Sequence, residues 1–97
     1  MNRVLIYHSS KRSNGVIINV EEIKDIVYKK RLSNGLIEAT IYGKREGIIA
    51  IIELRDLQEL ANLITLLGMD DYGYIYIEDG TVRIWTGTLK ESKGDSQ

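Results

Sequence analysis

The 97-residue sequence contains no cysteine, no proline and no phenylalanine, and it has a single histidine and a single tryptophan. Without cysteine the chain can form no disulfide scaffold, thiolate zinc site, iron–sulfur cluster or thiol nucleophile. Without proline no strand is forced to a sheet edge. These absences exclude several common routes to catalysis and to small disulfide-stabilised folds.

Long apolar runs are also missing. Residues 48–52 form an apolar run of five, whereas a membrane-spanning helix needs about twenty such residues. Residues 1–8 lack the apolar stretch of a secretory signal peptide. We therefore expect a cytoplasmic protein that does not enter a membrane.

The net charge of -1 conceals an asymmetry between the two halves of the chain. Residues 1–47 carry nine basic and five acidic side chains, a net +4, whereas residues 48–97 carry four and nine, a net -5. Such an asymmetry prompts a search for polyanion binding or for head-to-tail contact between copies. Ordinary solvated surfaces with unevenly placed charges are an equal alternative.

Apolar periodicity and turn signals predict an α+β fold in one domain, residues 1–88, followed by a disordered polar tail, residues 89–97. The expected architecture is a largely antiparallel sheet of about five strands, then one helix, then a β-hairpin. The predicted strands are 3–8, 16–20, 26–32, 36–42, 48–53, 72–78 and 81–88, and the predicted helix is 54–67. Residues 21–25 fit either a turn or a short helical segment.

The first predicted hairpin turns at Asn34-Gly35, a dipeptide typical of two-residue type I′ turns, in which both residues have positive φ. This turn would place Leu32 opposite Ile37. In the helix, a step of 100° per residue places five apolar residues on one arc, which Leu63 widens: Leu57, Leu60, Ala61, Ile64 and Leu67. We expect the face formed by Leu57, Ala61 and Ile64 to pack on the sheet. The opposing polar arc of the helix contains Arg55, Gln58, Glu59 and Asn62.

The second predicted hairpin turns at Asp79-Gly80 and separates two kinds of side chain. One face is aliphatic, and the other carries three tyrosines, an arginine and the tryptophan: Tyr72, Tyr74, Tyr76, Arg83 and Trp85. Aromatic rings beside a guanidinium can stack on unpaired bases. The same residue types form hot spots of protein interfaces, and cross-strand aromatic pairs also stabilise hairpins without any ligand.

Basic residues cluster at three predicted hairpin ends: Lys11, Arg12, Lys29, Lys30, Arg31, Lys44 and Arg45. Loops of an antiparallel meander alternate between the two ends of a sheet. The first two clusters can therefore converge if residues 21–25 form a plain reversal, while Lys44 and Arg45 lie at the other end. Phosphate contacts by such residues give salt-sensitive, sequence-independent binding.

These features predict a non-catalytic module that binds single-stranded DNA or RNA as a homodimer or larger oligomer. The predicted nucleic-acid-binding residues are Lys11, Arg12, Lys29, Lys30, Arg31, Lys44, Arg45, Tyr74, Tyr76, Arg83 and Trp85. The alternative is a homodimeric protein-interaction or inhibitory accessory protein, encoded by a virus or mobile element. A continuous basic and aromatic groove would favour nucleic acid, and separate patches would favour protein.

Catalysis has little support in the sequence. His8 stands beside Ser9-Ser10, but adjacent residues on one backbone rarely form a nucleophile–base pair, and no G-x-S-x-G or nucleotide-binding glycine motif is present. We expect no enzyme activity, no cofactor and no metal. A metal-dependent nuclease using Asp70 and Asp71 is the minor alternative.

Residues 16–67 read as four strands followed by a leucine-spaced amphipathic helix. In this order of elements the segment resembles the Whirly and transcriptional-coactivator class of single-stranded DNA-binding proteins, whose sheets dimerise and grip unpaired strands. The resemblance covers about half of the chain and implies a nucleic-acid ligand. It assigns no role to any individual residue, because no motif matches position by position.

Overall fold

The computed structural model describes residues 3–11, 15–69 and 73–85, which form seven strands and one α-helix. The strands are β1 (Val4–His8), β2 (Val16–Asn19), β3 (Ile23–Lys30), β4 (Ile37–Gly43), β5 (Ile48–Leu54), β6 (Tyr74–Glu78) and β7 (Thr81–Trp85). A 3₁₀ turn at Val20–Glu22 precedes β3, and helix α1 (Leu57–Leu67) follows β5. This confirms the α+β class, while the predicted tail at 89–97 lies outside the described residues. Within the described ranges, no helix is long and apolar enough to span a bilayer.

The strands divide between two sheets, where the sequence predicts one largely antiparallel sheet of about five strands before the helix. One sheet has four strands in the order β2-β1-β6-β7, and the other has three in the order β3-β4-β5. Strand β1 pairs in parallel with β6, with Val4 beside Tyr74, and the C-terminal hairpin thereby extends the sheet that β1 and β2 begin. The resemblance of residues 16–67 to single-stranded DNA-binding proteins therefore stops at element order, because β2 belongs to the other sheet.

The 3₁₀ turn is where the chain passes from one sheet to the other. The Asn19 side chain accepts a hydrogen bond from the Glu21 N–H at 3.0 Å, and Val20 is buried beneath it. A side-chain cap of this kind replaces the ladder bonds that a plain hairpin would make. The segment 21–25 is therefore a redirecting turn and the start of β3, not a reversal within one sheet.

A shared core lies between the two sheets and is closed on one side by α1. The core residues are Leu5, Tyr7, Ile18, Val20, Ile37, Ala39, Ile41, Ile52, Leu54, Leu60, Leu63, Ile75 and Ile77. In β4 and β6 these residues alternate with less buried ones, as expected for strands with one buried face. The Tyr7 hydroxyl also accepts a hydrogen bond from the Glu53 N–H at 3.2 Å, which ties β1 to the edge of β5.

The C-terminal hairpin has the predicted turn and register. Asp79 and Gly80 both have positive φ, 48° and 84°, and Tyr76 lies opposite Arg83. Gly80 also touches the second sheet, since its carbonyl accepts a hydrogen bond from the Arg55 N–H at 2.9 Å. A Cβ at position 80 would lie 2.7 Å from that nitrogen, so the close approach requires glycine.

The first hairpin differs from its prediction. Its loop has four residues instead of two, only Gly35 has positive φ, at 73°, and Lys30 takes the place of Leu32 opposite Ile37. The Asn34 side chain accepts a hydrogen bond from the backbone N–H of residue 36 at 3.0 Å, which stabilises the longer loop. Because the shift is two residues, every side chain keeps its predicted face.

Helix α1 is rotated relative to the predicted orientation, so that Leu60 and Leu67 of the predicted arc pack on the core while Leu57, Ala61 and Ile64 do not. Glu59, Leu60 and Leu63 are buried, whereas Leu57 and Ile64 are each 52% exposed, and Ala61 is exposed. The reason is the edge of β7, whose unpaired backbone needs a partner on the helix. The polar residue Glu59 therefore faces inward, and part of the apolar arc faces solvent.

Candidate interaction surfaces

The aromatic residues lie on the outer face of the four-stranded sheet, turned away from the core. Tyr74 and Tyr76 alternate with the buried residues of β6, so their side chains project from the opposite side. By strand register, Tyr76 stands in a row with Ile17 of β2, Ile6 of β1 and Arg83 of β7. Ile17 is 74% exposed and Arg83 is exposed. The row extends the predicted aromatic face across all four strands.

A second row of this outer face contains Val4 and Tyr74, with Tyr74 paired to the backbone position of Trp85. The side chains of Val4 and Tyr74 are partly exposed. The structure thus brings together Tyr74, Tyr76, Arg83 and the strand position of Trp85, as the hairpin register predicted. Sequence reasoning missed that β1 and β2 add aliphatic residues, because the parallel β1–β6 contact leaves no local signal.

Lys29 and Arg31 of the first hairpin lie on the outer face of the other sheet and contact carboxylates. Lys29 Nζ is 3.4 Å from a Glu38 carboxylate oxygen, and Arg31 Nη1 is 3.3 Å from Glu53 and 3.9 Å from Glu38. Lys30 is exposed and belongs to no ion pair among the described residues. Two of the three cations of this cluster therefore contact carboxylates, which would compete with a phosphate for them, whereas Lys30 has no such contact among the described residues.

The turn between β4 and β5 carries Lys44 and Arg45 at the other end of the three-stranded sheet. Arg45 Nη2 donates to a Glu22 carboxylate oxygen at 2.8 Å, and this hydrogen bond and charge raise the pKa of Arg45. The Lys44 N–H donates to the Glu22 carbonyl at 2.9 Å, while its side chain is exposed. The pair thus secures the β4–β5 turn to the 3₁₀ turn.

Lys11 and the first hairpin do converge on one cleft, at the end of the molecule where both loops lie. The cleft is small, about 90 Å³, and Lys11, Leu36, Glu53 and Asp79 are among the residues that line it. Arg12 lies outside the described residues. The cleft is lined by none of Lys29, Lys30 and Arg31, so it does not bring the first two basic clusters together, and two carboxylates line it beside Lys11.

The aromatic and basic groups therefore face different directions. Tyr74 and Tyr76 project from one sheet, and Lys29 and Arg31 project from the other, with the shared core between them. A single strand following one surface could not contact both groups at once. The geometry provides separate patches, not a continuous groove.

Two buried or part-buried charged groups were not anticipated from the sequence. The Glu59 carboxylate, 5% exposed as a residue, accepts hydrogen bonds from the Val82 N–H and the Arg55 guanidinium, both at 2.9 Å. The Arg3 guanidinium donates to the carbonyls of Leu67, at 2.9 Å, and of Met69 at the end of α1. Both groups satisfy backbone polar atoms, which indicates structural roles.

Asp79 secures the C-terminal hairpin to the loop after β1. Its Oδ1 accepts hydrogen bonds from the Ser10 N–H at 2.7 Å and from the Ser10 hydroxyl at 2.9 Å. These bonds lower the pKa of Asp79, the backbone one most. Ser9 Oγ accepts from the Lys11 N–H at 3.2 Å, and the buried Nδ1 of His8 has no hydrogen-bond partner. His8 and its neighbouring serines thus form no nucleophile–base pair here.

Among the described residues, no group of three or more histidine, aspartate or glutamate side chains could hold a metal ion. Asp70 and Asp71, the predicted ligands of the nuclease alternative, lie outside those residues. No protein-family model, curated protein or solved structure matches the chain. Its function must therefore be argued from the surfaces themselves.

Proposed function

We propose that this protein is a non-catalytic interaction module that binds protein surfaces, including a second copy of its own chain. The observation that carries the proposal is the number of large apolar side chains left in solvent beside a complete core. They are Ile17, Val27, Tyr28, Leu32, Ile48, Ile51, Leu57 and Ile64. Scattered apolar residues are ordinary on a surface, but contiguous patches mark contact sites.

Several of these residues are contiguous. Val27 and Ile51 lie in one row across the three-stranded sheet, on either side of Thr40, with exposed fractions of 56% and 41%. On the outer face of the four-stranded sheet, Ile17 adjoins Ile6, and Ile6 adjoins Tyr76. Aromatic and aliphatic residues next to an arginine are the composition of protein interface cores.

The charge arrangement supports a protein ligand over a polyanion. Binding of a phosphate by Arg31 or Arg45 would compete with the carboxylates that already contact their guanidinium groups. Nucleic-acid affinity depends on cations that exchange counterions for phosphates, so cations already paired with carboxylates contribute less to it. With a net charge of -1, the whole chain supplies no attraction at long range.

Single-stranded nucleic acid is the second candidate, favoured by the row that joins Tyr76 to Arg83 on an open sheet. Aromatic side chains on a four-stranded sheet can stack on unpaired bases, and Arg83 and Lys11 could supply phosphate contacts. This arrangement uses only part of the predicted binding residues. It predicts weak, strongly salt-dependent affinity.

Two measurements on the full chain separate the candidates. Sedimentation velocity over a range of concentrations should show association above the 11.0 kDa mass of one chain. Titration of labelled single-stranded oligonucleotide at low salt should show no saturable binding. A monomer at all concentrations that binds oligonucleotide would contradict the proposal.

A matched pair of variants would then locate such oligonucleotide binding. Tyr74→Ala removes a ring from the outer face of the four-stranded sheet, and Tyr42→Ala removes a partly exposed ring from β4. Loss of oligonucleotide binding with Tyr74→Ala alone would establish the nucleic-acid candidate. Equal behaviour of the two variants would exclude the aromatic face as the binding site.

A further inference from the structure

Strand β3 is one edge of the three-stranded sheet, and among the described strands it pairs with β4 alone. Six of its eight residues are exposed, including Val27 at 56% and Tyr28 at 52%. An edge strand presents unpaired backbone groups to which another strand can add. We propose that β3 of one copy pairs antiparallel with β3 of a second copy, an inference that rests on the proposed self-association.

The hydrogen bonds of the first hairpin determine which backbone groups of β3 reach its free edge. The Arg31 N–H donates at 2.8 Å to the chain just before β4, so the polar groups of residue 31 point toward β4. The direction alternates along an antiparallel ladder, so those of Lys29 and Val27 also point toward β4. The N–H and C=O groups of Ile26 and Tyr28 point away from it, toward a second strand.

A pairing centred on Val27 uses these free groups. It places Ile26 opposite Tyr28 of the second copy, and Tyr28 opposite Ile26, with two backbone hydrogen bonds in each such pair. Val27 then meets Val27 of the second copy on the outer face of the sheet. On the same face Asp25, the one acidic residue of β3, lies opposite Lys29 of the second copy.

Neighbouring registers keep the hydrogen bonds but lose this complementarity. Centring on Ile26 would place Asp25 opposite Val27, and centring on Tyr28 would place Val27 opposite Lys29. Centring on Val27 joins apolar to apolar and acid to base in every central pair, which is the pattern that stabilises adjacent strands. The product is one continuous sheet in the order β5-β4-β3-β3-β4-β5.

The lysines of β3 favour the opposite interpretation, that this edge is protected from pairing, since lysine on an edge strand discourages the addition of another strand. In the Val27 register, Lys24 and Lys30 of the two copies oppose each other at the ends of the paired segment. Both are exposed, so solvent screens their repulsion. The central pairs, by contrast, bury Val27 and cover Tyr28. An experiment on the central positions therefore decides whether β3 pairs with a second copy or is kept from pairing by its lysines.

The first test compares Val27→Lys with Ala61→Lys by sedimentation velocity over a range of concentrations. Val27→Lys places two like charges opposite each other at the centre of the proposed contact. Ala61→Lys is the matched control, because it adds the same charge at an exposed apolar residue of α1, outside the three-stranded sheet. We expect Val27→Lys to weaken association at least tenfold and Ala61→Lys to leave it unchanged.

The second test exchanges the charges of the proposed Asp25–Lys29 pairs. Asp25→Lys alone places like positive charges opposite each other, Lys29→Asp alone places like negative charges, and each should weaken association on the order of tenfold. An equimolar mixture of the two variants restores both opposite-charge pairs. We expect the mixture to associate as a heterodimer with close to wild-type affinity.

The outcomes are distinguishable. If the wild-type chain is monomeric at every concentration, both the proposed self-association and the β3 pairing are overturned. If it associates but Val27→Lys and Ala61→Lys behave alike, self-association stands and the β3 pairing is overturned. If the two charge variants fail to associate with each other, the register centred on Val27 is overturned.

Discussion

Leu63 and Ile64 are neighbours on helix α1 whose truncation distinguishes the observed helix orientation from the one that periodicity predicts. Leu63 is 0% exposed and Ile64 is 52% exposed. The predicted packing face of Leu57, Ala61 and Ile64 makes Ile64 a core residue and leaves Leu63 at the margin of the apolar arc, whereas in the structure Leu63 is the buried one. Replacing each by alanine removes a similar amount of side chain, so the difference in cost measures burial.

The expected cost of Leu63→Ala is about 3 kcal/mol, because a fully buried leucine loses both its transfer free energy and its packing contacts. For Ile64→Ala, half of the side chain already contacts water, so the transfer loss is about 1 kcal/mol. The better helix propensity of alanine offsets part of that loss. We therefore expect a difference of about 2 kcal/mol between the two variants.

Urea denaturation followed by circular dichroism, at one low protein concentration, gives both free energies of unfolding. Leu57→Ala serves as a second control, because Leu57 is also 52% exposed. A cost for Ile64→Ala equal to or greater than that for Leu63→Ala would refute the helix orientation. It would also remove the reason for placing Glu59 inside the molecule.

Three further predictions concern polar and turn residues. Glu59→Ala should lower the free energy of unfolding by roughly 2–3 kcal/mol in urea titrations, because it leaves a buried strand N–H without its charged acceptor, and Glu59→Gln should cost less. The hydrogen bonds from Ser10 hold the pKa of Asp79 below its ordinary value of 3.8, so their stabilisation is present above that pH and is lost as the pH falls through the folded-state pKa. Melting temperatures measured against pH should therefore fall less steeply in acid for Ser10→Ala than for the wild type. Gly80→Ala should destabilise by about 1–3 kcal/mol in thermal melts, since φ is 84° and its Cβ would lie 2.7 Å from the Arg55 nitrogen; a neutral effect would contradict the close contact between the sheets.

Part of the candidate surface was predictable because its signals are local. The register that places Tyr76 opposite Arg83 follows from a two-residue turn at Asp79 and Gly80, and the structure has that register. The ion pair between Lys29 and Glu38 was not predicted from the sequence, because the first loop is two residues longer than the Asn34-Gly35 turn implies. A small error in loop length changes which charges face each other while leaving the faces intact.

The sequence by itself determined the order of the elements, the α+β class, the division of side chains between the two faces of each hairpin and the C-terminal turn. Those properties depend on periodicity and on φ preferences within a few residues. Only the tertiary structure decided the division into two sheets, the parallel contact of β1 with β6 and the face that α1 buries. Each of these depends on backbone groups that must find partners far along the chain. Glu59 is an example. Its carboxylate accepts a hydrogen bond from the Val82 N–H of edge strand β7, and this contact turns a polar residue of α1 inward although the apolar arc of α1 predicts the opposite orientation.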